Sequence, residues 1–288
     1  MENFAQVSVV IPAYNEEKTI KPLIERIFKL SLELEVIVIS DGSTDSTALL
    51  AHEAGAIVLE HPYNIGNGAS IKSGALRATR AWIVFMDADL QHQPEDIPQL
   101  LAFLPQYDMV VGARTSQCST ARHRNIGNII LNRFAENISG YKIKDLTSGF
   151  RAVKRNIFLK FIHLYPLRYS YPSTSTLAFF CSGYFVKYVD LPTIVRRSHA
   201  RGSIDPWRDG LRFLHIILRI VMTFSPQKIF NPIAGLLLLG GIGFSVYQLI
   251  FTGAIRSTVV ILLISSLVVF LNGVLADQLA RLRRDLNK

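Results

Sequence analysis

The sequence predicts an α/β fold with a mostly parallel, Rossmann-like sheet, followed by an amphipathic interfacial helix and a two-helix transmembrane hairpin. Three observations predict it. Apolar, partly β-branched runs alternate with helix-period segments over the first hundred residues. Residues able to bind ligands fall where those runs end. Two charge-free stretches of 19 residues, 233–251 and 258–276, lie near the C-terminus.

The alternation starts with Val7-Ser8-Val9-Val10-Ile11-Pro12, a buried strand closed by proline, and a helix from Glu17 to Leu30 with apolar residues at 20, 23, 24 and 27. A second strand, 35–40, leads through Asp41-Gly42-Ser43-Thr44-Asp45 into a helix over 46–54, with Asp45 or Ser43 as its N-cap. A short strand follows at 56–59. Asn64-Ile65-Gly66-Asn67-Gly68 then turns into a helix through Ala78, and a fourth strand ends at Asp87. Such β-α-β alternation with short links implies parallel strands with helices on both faces, and ligands at their carboxyl ends. Beyond it come a helix opened by Pro94, a strand at 108–112, a helix over about 124–139, the polar loop 145–151 leading into a short apolar segment, and a last strand at 184–189. Residues 165–181, rich in Tyr, Ser and Thr, show no clear period.

The C-terminal part has a different character. Six arginines against two aspartates lie between 196 and 219, and from Trp207 the apolar positions are amphipathic, as in an interfacial helix. A surface helix packed on the domain is the alternative. Each 19-residue run is close to the ~20 residues needed to span a bilayer. Their short link makes a hairpin, in which Gly235, Gly240, Gly241 and Gly243 would allow close helix contact. The basic tail from Arg281 outweighs the single Arg256 of the link, so the tail and the N-terminal domain are expected on the cytoplasmic side. The expected division is 1–203 for the catalytic domain, 204–230 for the interfacial helix and linker, and 231–288 for the hairpin and tail.

Composition narrows the partners. With 288 residues, 49% hydrophobic and a net charge of +9, the chain fits one large domain with a membrane appendage and suits phosphates or a lipid bilayer. Nucleic acid is not expected, because no basic run or aromatic-studded RNA motif occurs. Two cysteines outside any Cys/His cluster point to neither zinc nor a disulfide framework. Met1 to Gln6 lack the features of a secretory leader, so none is expected. A homo-oligomer is compatible with this reading.

The chemistry centres on Asp87-Ala88-Asp89-Leu90-Gln91. Two carboxylates and an amide at a strand end offer hard oxygen ligands, suited to Mg²⁺ or Mn²⁺ shared with phosphate oxygens. Alone, Asp-x-Asp is a weak signal. Together with Val9 to Glu17, Ser40 to Asp45 and Thr147-Ser148-Gly149-Phe150-Arg151, in that order and spacing, it resembles the family-2 glycosyltransferases, and within them the polyprenyl-phosphate group. The resemblance covers roughly 7–230.

It implies a GT-A fold, a nucleotide-sugar donor carrying UDP or GDP, a divalent metal and a dolichyl or undecaprenyl phosphate acceptor. Pro12, Tyr14, Glu16 and Asp41 would border the nucleoside. Asp87 would face the ribose or the metal, and Asp89 and Gln91 would ligate the metal. Arg114 and Arg124, with Asn128 one turn on, resemble phosphate-contacting residues, and an arginine fork suits a phosphate dianion. Two departures stand out. Asn67 replaces a frequent lysine, and Arg197-Ser198-His199-Ala200-Arg201 replaces a more regular motif, so either Arg197 or Arg201 would serve. An ionised lipid phosphate needs no general base; a hydroxyl acceptor would, with Asp145 as that base or as a mere loop orienter. A hydroxyl-directed, polysaccharide-synthase-like enzyme and a non-catalytic, membrane-anchored nucleotide-binding protein are the alternatives.

Overall fold

The computed structural model describes residues 6–30, 32–114, 132–133, 135–168, 171–191, 218, 221–253 and 256–285, with the side chains of 114, 252 and 283–285 outside that description. The chain divides into two compact units, Met1–Ser203 and Ile204–Lys288.

The first unit is built on a seven-stranded sheet. Its elements are β1 (Val7–Ala13), α1 (Ile20–Phe28), β2 (Glu35–Asp41), α2 (Thr47–Glu53), β3 (Ile57–His61), α3 (Asn67–Arg77), β4 (Trp82–Phe85), α4 (Ile97–Leu101), β5 (Met109–Arg114), β6 (Arg151–Lys154), α5 (Arg155–Lys160), α6 (Tyr171–Cys181) and β7 (Val186–Leu191). The strand order is β3-β2-β1-β4-β6-β5-β7. β1, β2, β3 and β4 pair in parallel, as does β5 with β7, whereas β6 runs antiparallel between β4 and β5. β1 and β2 are largely apolar because both of their faces are covered: Val9, Val10 and Ile11 are all buried, as are Ile37, Val38 and Ile39. Each such side chain contributes roughly 1.5–3 kcal/mol.

The helices follow their apolar period where it is strong. α1 buries Ile20, Leu23, Ile24 and Ile27, one stripe at i, i+3, i+4 and i+7. It starts later than the pattern alone predicts, because the Glu16 carbonyl accepts from the amides of Thr19 and Ile20 and closes a turn first. The helix expected from Pro94 is broken into a 3₁₀ turn, Pro94–Asp96, and the short α4. Three elements were not foreseen. The stretch after the polar loop is the central strand β6 followed by α5, and the unassigned Tyr/Ser/Thr-rich stretch contains α6, which is buried on nearly every side.

In the second unit, α7 (Gln227–Thr252) and α8 (Ser257–Asp285) form a hairpin that turns at Gly253, whose φ of 67° suits glycine. At 26 and 29 residues, both helices exceed the ~20 needed to cross a bilayer. Of the four glycines expected at the contact, only Gly241 is close-packed: an added Cβ would lie 2.8 Å from Leu263 Cδ2. Nothing lies within 4 Å of that position at Gly235, Gly240 or Gly243. The second close contact is at Gly273, where an added Cβ would lie 2.5 Å from Phe230 Cβ.

Candidate active site

The carboxyl ends of β1 and β2 are joined by their own loops. Asn15, at φ 54°, accepts at its side-chain carbonyl from the Thr44 amide (2.9 Å), while its own amide donates to Ser43 Oγ (3.2 Å). The Glu16 and Glu17 amides donate to Thr47 Oγ1 (2.8 Å) and Asp45 Oδ2 (3.2 Å). The two residues expected to cap α2 therefore tie its approach to the first loop. Asp45 also accepts from the Thr47 amide through Oδ1.

Above this platform lies a cleft of about 210 Å³ lined by Pro12, Ala13, Tyr14, Asp41, the 64–70 turn and Arg168. Pro12 is buried within β1, opposite Ile39, and Tyr14 is half exposed at the cleft wall. Asp41 is buried at the end of β2 with its carboxylate engaged. Oδ1 meets His61 Nδ1 at 2.6 Å and accepts from the Ile65 amide at 3.1 Å, while Oδ2 accepts from the Gly66 amide at 2.7 Å. His61 reaches on to Ser73 Oγ at 2.9 Å. Asp41 thus fixes the glycine-rich turn as well as bordering the cleft. Glu16 is not among the cleft-lining residues; its carboxylate accepts from Thr19 Oγ1 at 2.7 Å.

On the other side of β1, β4 ends at Phe85 and Asp87 and Asp89 follow, both half-buried. Leu90 has a φ of 58°, a left-handed conformation that costs a bulky residue roughly 1–3 kcal/mol. The turn aims the Gln91 amide back at Asp89 Oδ1, 3.0 Å away. Burial, with Asp87 and Glu16 adding repulsion, pushes the Asp89 carboxyl above the usual carboxylate range against the pull of the Gln91 amide and His92. Clustered half-buried carboxylates of this kind suit a divalent cation. No three His, Cys, Asp or Glu side chains converge among the described residues. Two carboxylates and an amide therefore fit a hard ion whose remaining ligands are phosphate oxygens or water.

The 145–151 loop rests against Asp87. Gly149 packs closely on it: an added Cβ would lie 3.0 Å from Asp87 Oδ2, so a side chain there would push on the carboxylate. Tyr171 of α6 donates to the Gly149 carbonyl at 3.1 Å, and the Phe150 ring stacks on His92 at 5.0 Å. Asp145 is buried and accepts through Oδ1 from the Thr147 and Ser148 amides, both at 3.1 Å, the geometry of a loop orienter. Behind the loop, Arg151 is fully buried. It donates to Pro172 O (2.9 Å), Ser175 Oγ (2.8 Å), Thr176 Oγ1 (3.0 Å) and the Ser148 carbonyl. Burial pushes its guanidinium below its ordinary value, with Tyr171, Tyr188 and Asp145 opposing.

Of the residues expected to contact phosphate, Arg114 ends β5, with its side chain outside the described residues. Arg124, Asn128, Arg197 and Arg201 also lie outside them. Sequence reasoning missed His61 and Arg168, and it placed Arg151 in the 147–151 motif without its buried role. The glycine pair at 66 and 68 is the one local sign of Arg168, because both glycines lie under the segment that carries it.

A cleft at the carboxyl ends of a mostly parallel sheet, with a hard-ligand carboxylate pair after the neighbouring strand, is the ligand-binding arrangement of the α/β class. The chain belongs to glycosyl transferase family 2: the family profile matches residues 8–161, and that of the GtrB C-terminal hairpin matches 225–282. It is 34% identical over 166 residues to the undecaprenyl-phosphate 4-deoxy-4-formamido-L-arabinose transferase of Proteus mirabilis, covering 54% of this chain and 51% of that protein. The chain therefore spans about half the length of that relative. It is 30% identical over 239 residues to the uncharacterized protein MJ1222 of Methanocaldococcus jannaschii, covering 79% of this chain and 94% of the other. Among solved structures it is similar to glucosyl-3-phosphoglycerate synthase from Mycobacterium tuberculosis, crystallised with Mn²⁺, uridine diphosphate and phosphoglyceric acid. The TM-score is 0.60 at 23% identity, over 75% of this chain and 77% of that one. The likeness shows a GT-A fold. The apolar hairpin makes the chain a membrane protein.

Proposed function

We propose that the chain is an inverting glycosyltransferase that moves a hexose from a UDP- or GDP-sugar to a polyprenyl phosphate at the cytoplasmic face of a membrane. The observation that carries this reading is the Asp87/Asp89 pair after β4, the strand next to β1, at whose carboxyl end the cleft lies. The hairpin, and the undecaprenyl-phosphate acceptor in the name of the Proteus relative, support a lipid phosphate.

In this reading Pro12, Tyr14 and the Asp41-fixed turn receive the nucleoside, while Asp87, Asp89 and Gln91 hold Mg²⁺ or Mn²⁺. When bound, the metal neutralises charge on the diphosphate leaving group. Gly149 leaves Asp87 room to approach that group, and Leu90 fixes the position of Gln91. Arg114, Arg124, Asn128 and one of Arg197 and Arg201 are assigned to the acceptor phosphate. One of its oxygens attacks the anomeric carbon in line; the bond from that carbon to the donor diphosphate breaks, and the electron pair leaves on the diphosphate oxygen. The configuration inverts. Catalysis is then orientation and charge stabilisation, and no protein base is required. The hydrogen bonds that engage Asp145 fit that account.

The test is turnover of labelled UDP- and GDP-hexoses by the full chain in lipid, with and without polyprenyl phosphate and divalent metal. Label entering the lipid phase only when both are present is the expected result. Turnover indifferent to the lipid phosphate would reject the acceptor, and binding of neither nucleotide nor metal would favour a scaffold.

A further inference from the structure

We propose that Arg168 reads the nucleobase of the donor, its guanidinium donating to a ring carbonyl oxygen. The assignment rests on the nucleotide-sugar reading above and adds to it a residue that sets which base is accepted.

The argument starts with the glycine-rich turn. The start of a helix beside such a turn usually offers free amides to phosphate. Here the segment Pro166–Arg168 lies directly on it. The Gly68 amide donates to the Arg168 carbonyl at 3.1 Å, and the Ala69 amide to the Leu167 carbonyl at 2.7 Å. The Ser70 amide donates to the Gly66 carbonyl at 3.2 Å. Gly66 and Gly68 make this seat possible. An added Cβ would lie 2.8 Å from Arg168 Cγ at the first and 2.0 Å from the Pro166 carbonyl oxygen at the second. These amides therefore serve the chain, and positive charge enters the cleft by another route. Among the described cleft-lining residues Arg168 is the one cation, and its side chain is exposed there.

Strand order places that charge. The cleft lies at the ends of β1 and β2 and the start of α3, whereas Asp87 and Asp89 follow β4, on the opposite side of β1. A diphosphate held at the carboxylates directs its nucleoside towards α3 and Arg168. The other polar side chains lining the cleft are the uncharged Tyr14, Asn64, Asn67 and Ser70, together with Asp41, whose carboxylate is engaged by the turn. Arginine carries only donors, in a planar fork that matches ring carbonyls. Uracil and guanine present such oxygens; adenine presents an amino group in their place.

The experiment is calorimetric titration of the full chain in nanodiscs with UDP, GDP and ADP at fixed Mg²⁺. The wild type is expected to bind UDP or GDP at least about tenfold more tightly than ADP. R168A should remove most of that preference while leaving ADP affinity nearly unchanged, and R168K should not restore it. The backbone contacts of the segment do not need the side chain, so the variants should fold, as thermal unfolding checks. No preference in the wild type, an R168A affinity equal to wild type, or an equal loss for all three nucleotides would overturn the assignment. Absence of any nucleotide binding by the wild type would overturn the donor reading and this assignment together.

Discussion

The two units solve opposite packing problems. In the first, Ile11, Ile37 and Phe85 are buried, and a cation, Arg151, is enclosed with its hydrogen-bond partners. In the second, Leu236, Leu239 and Ile250 stand exposed, while Gln248, Ser266 and Asp277 are buried. Their bonds stay inside the unit: Ser266 Oγ donates to the Ala234 carbonyl at 2.8 Å, Gln248 Oε1 accepts from the Arg256 amide at 2.7 Å, and Arg281 pairs with Asp277 at 2.9 Å. The contrast teaches that the hairpin is folded for a solvent as apolar as its own side chains, in which polar groups must be satisfied internally.

The largest effect expected from breaking this contrast is at Arg151. Arg151→Met takes the donor away from the Ser148 carbonyl, Ser175 Oγ and Thr176 Oγ1 in a dry site, while the Pro172 carbonyl keeps its bond from Ser175 Oγ at 3.1 Å. At about 1–3 kcal/mol for each buried group left unpaired, a loss of at least 3 kcal/mol is expected in urea unfolding of the first unit. A smaller loss would mean that water replaces the guanidinium. Next comes a pair of leucines of similar exposure, Leu239 at 69% and Leu49 at 61%. Leu239→Arg should cost roughly 2.5–3.5 kcal/mol of membrane insertion, seen as a shift to the soluble fraction. Leu49→Arg on α2 should stay within about 0.5 kcal/mol. Equal responses would remove the distinction between the two surfaces.

Ser266→Ala should cost less, about 0.6 kcal/mol of hairpin stability in detergent, because a buried interhelical bond in an apolar medium is worth little net. The smallest effect concerns pH. Burial raises the Glu35 carboxyl, but hydrogen bonds from Ser8 and Thr79 outweigh it and hold the group below its usual value. A depressed carboxylate stabilises the fold fully above its unfolded value of 4.5, and that contribution is lost as pH falls through the folded one. Glu35→Gln should therefore flatten the acid side of the stability profile of the first unit and leave the neutral side parallel to wild type.

The half of the sheet from β1 to β4 was legible in the sequence because its strands are buried on both faces and its helices carry one apolar stripe. Legibility stopped at 151–181 for a physical reason. β6 begins with Arg151, and a charged residue in a central strand reads as loop until its partners are known. Those partners include Ser175 and Thr176, which α6 turns inward, so the helix loses the apolar period that would reveal it. In the site, Asp87 and Asp89 were legible because a strand end is a local feature. The engagement of Asp41 by the 64–66 turn was not, since it depends on His61 and two amides distant in sequence. Arg168 reaches the cleft only through tertiary packing on α3.

The account stands or falls on Asp89. The most direct measurement is sugar transfer to polyprenyl phosphate by Asp89→Ala, with thermal unfolding recorded on the same preparation. The account predicts that transfer falls at least about a thousandfold, the scale of losing a main electrostatic contributor to the transition state, while the unfolding transition stays close to wild type. Near-normal transfer by a folded Asp89→Ala protein would contradict it.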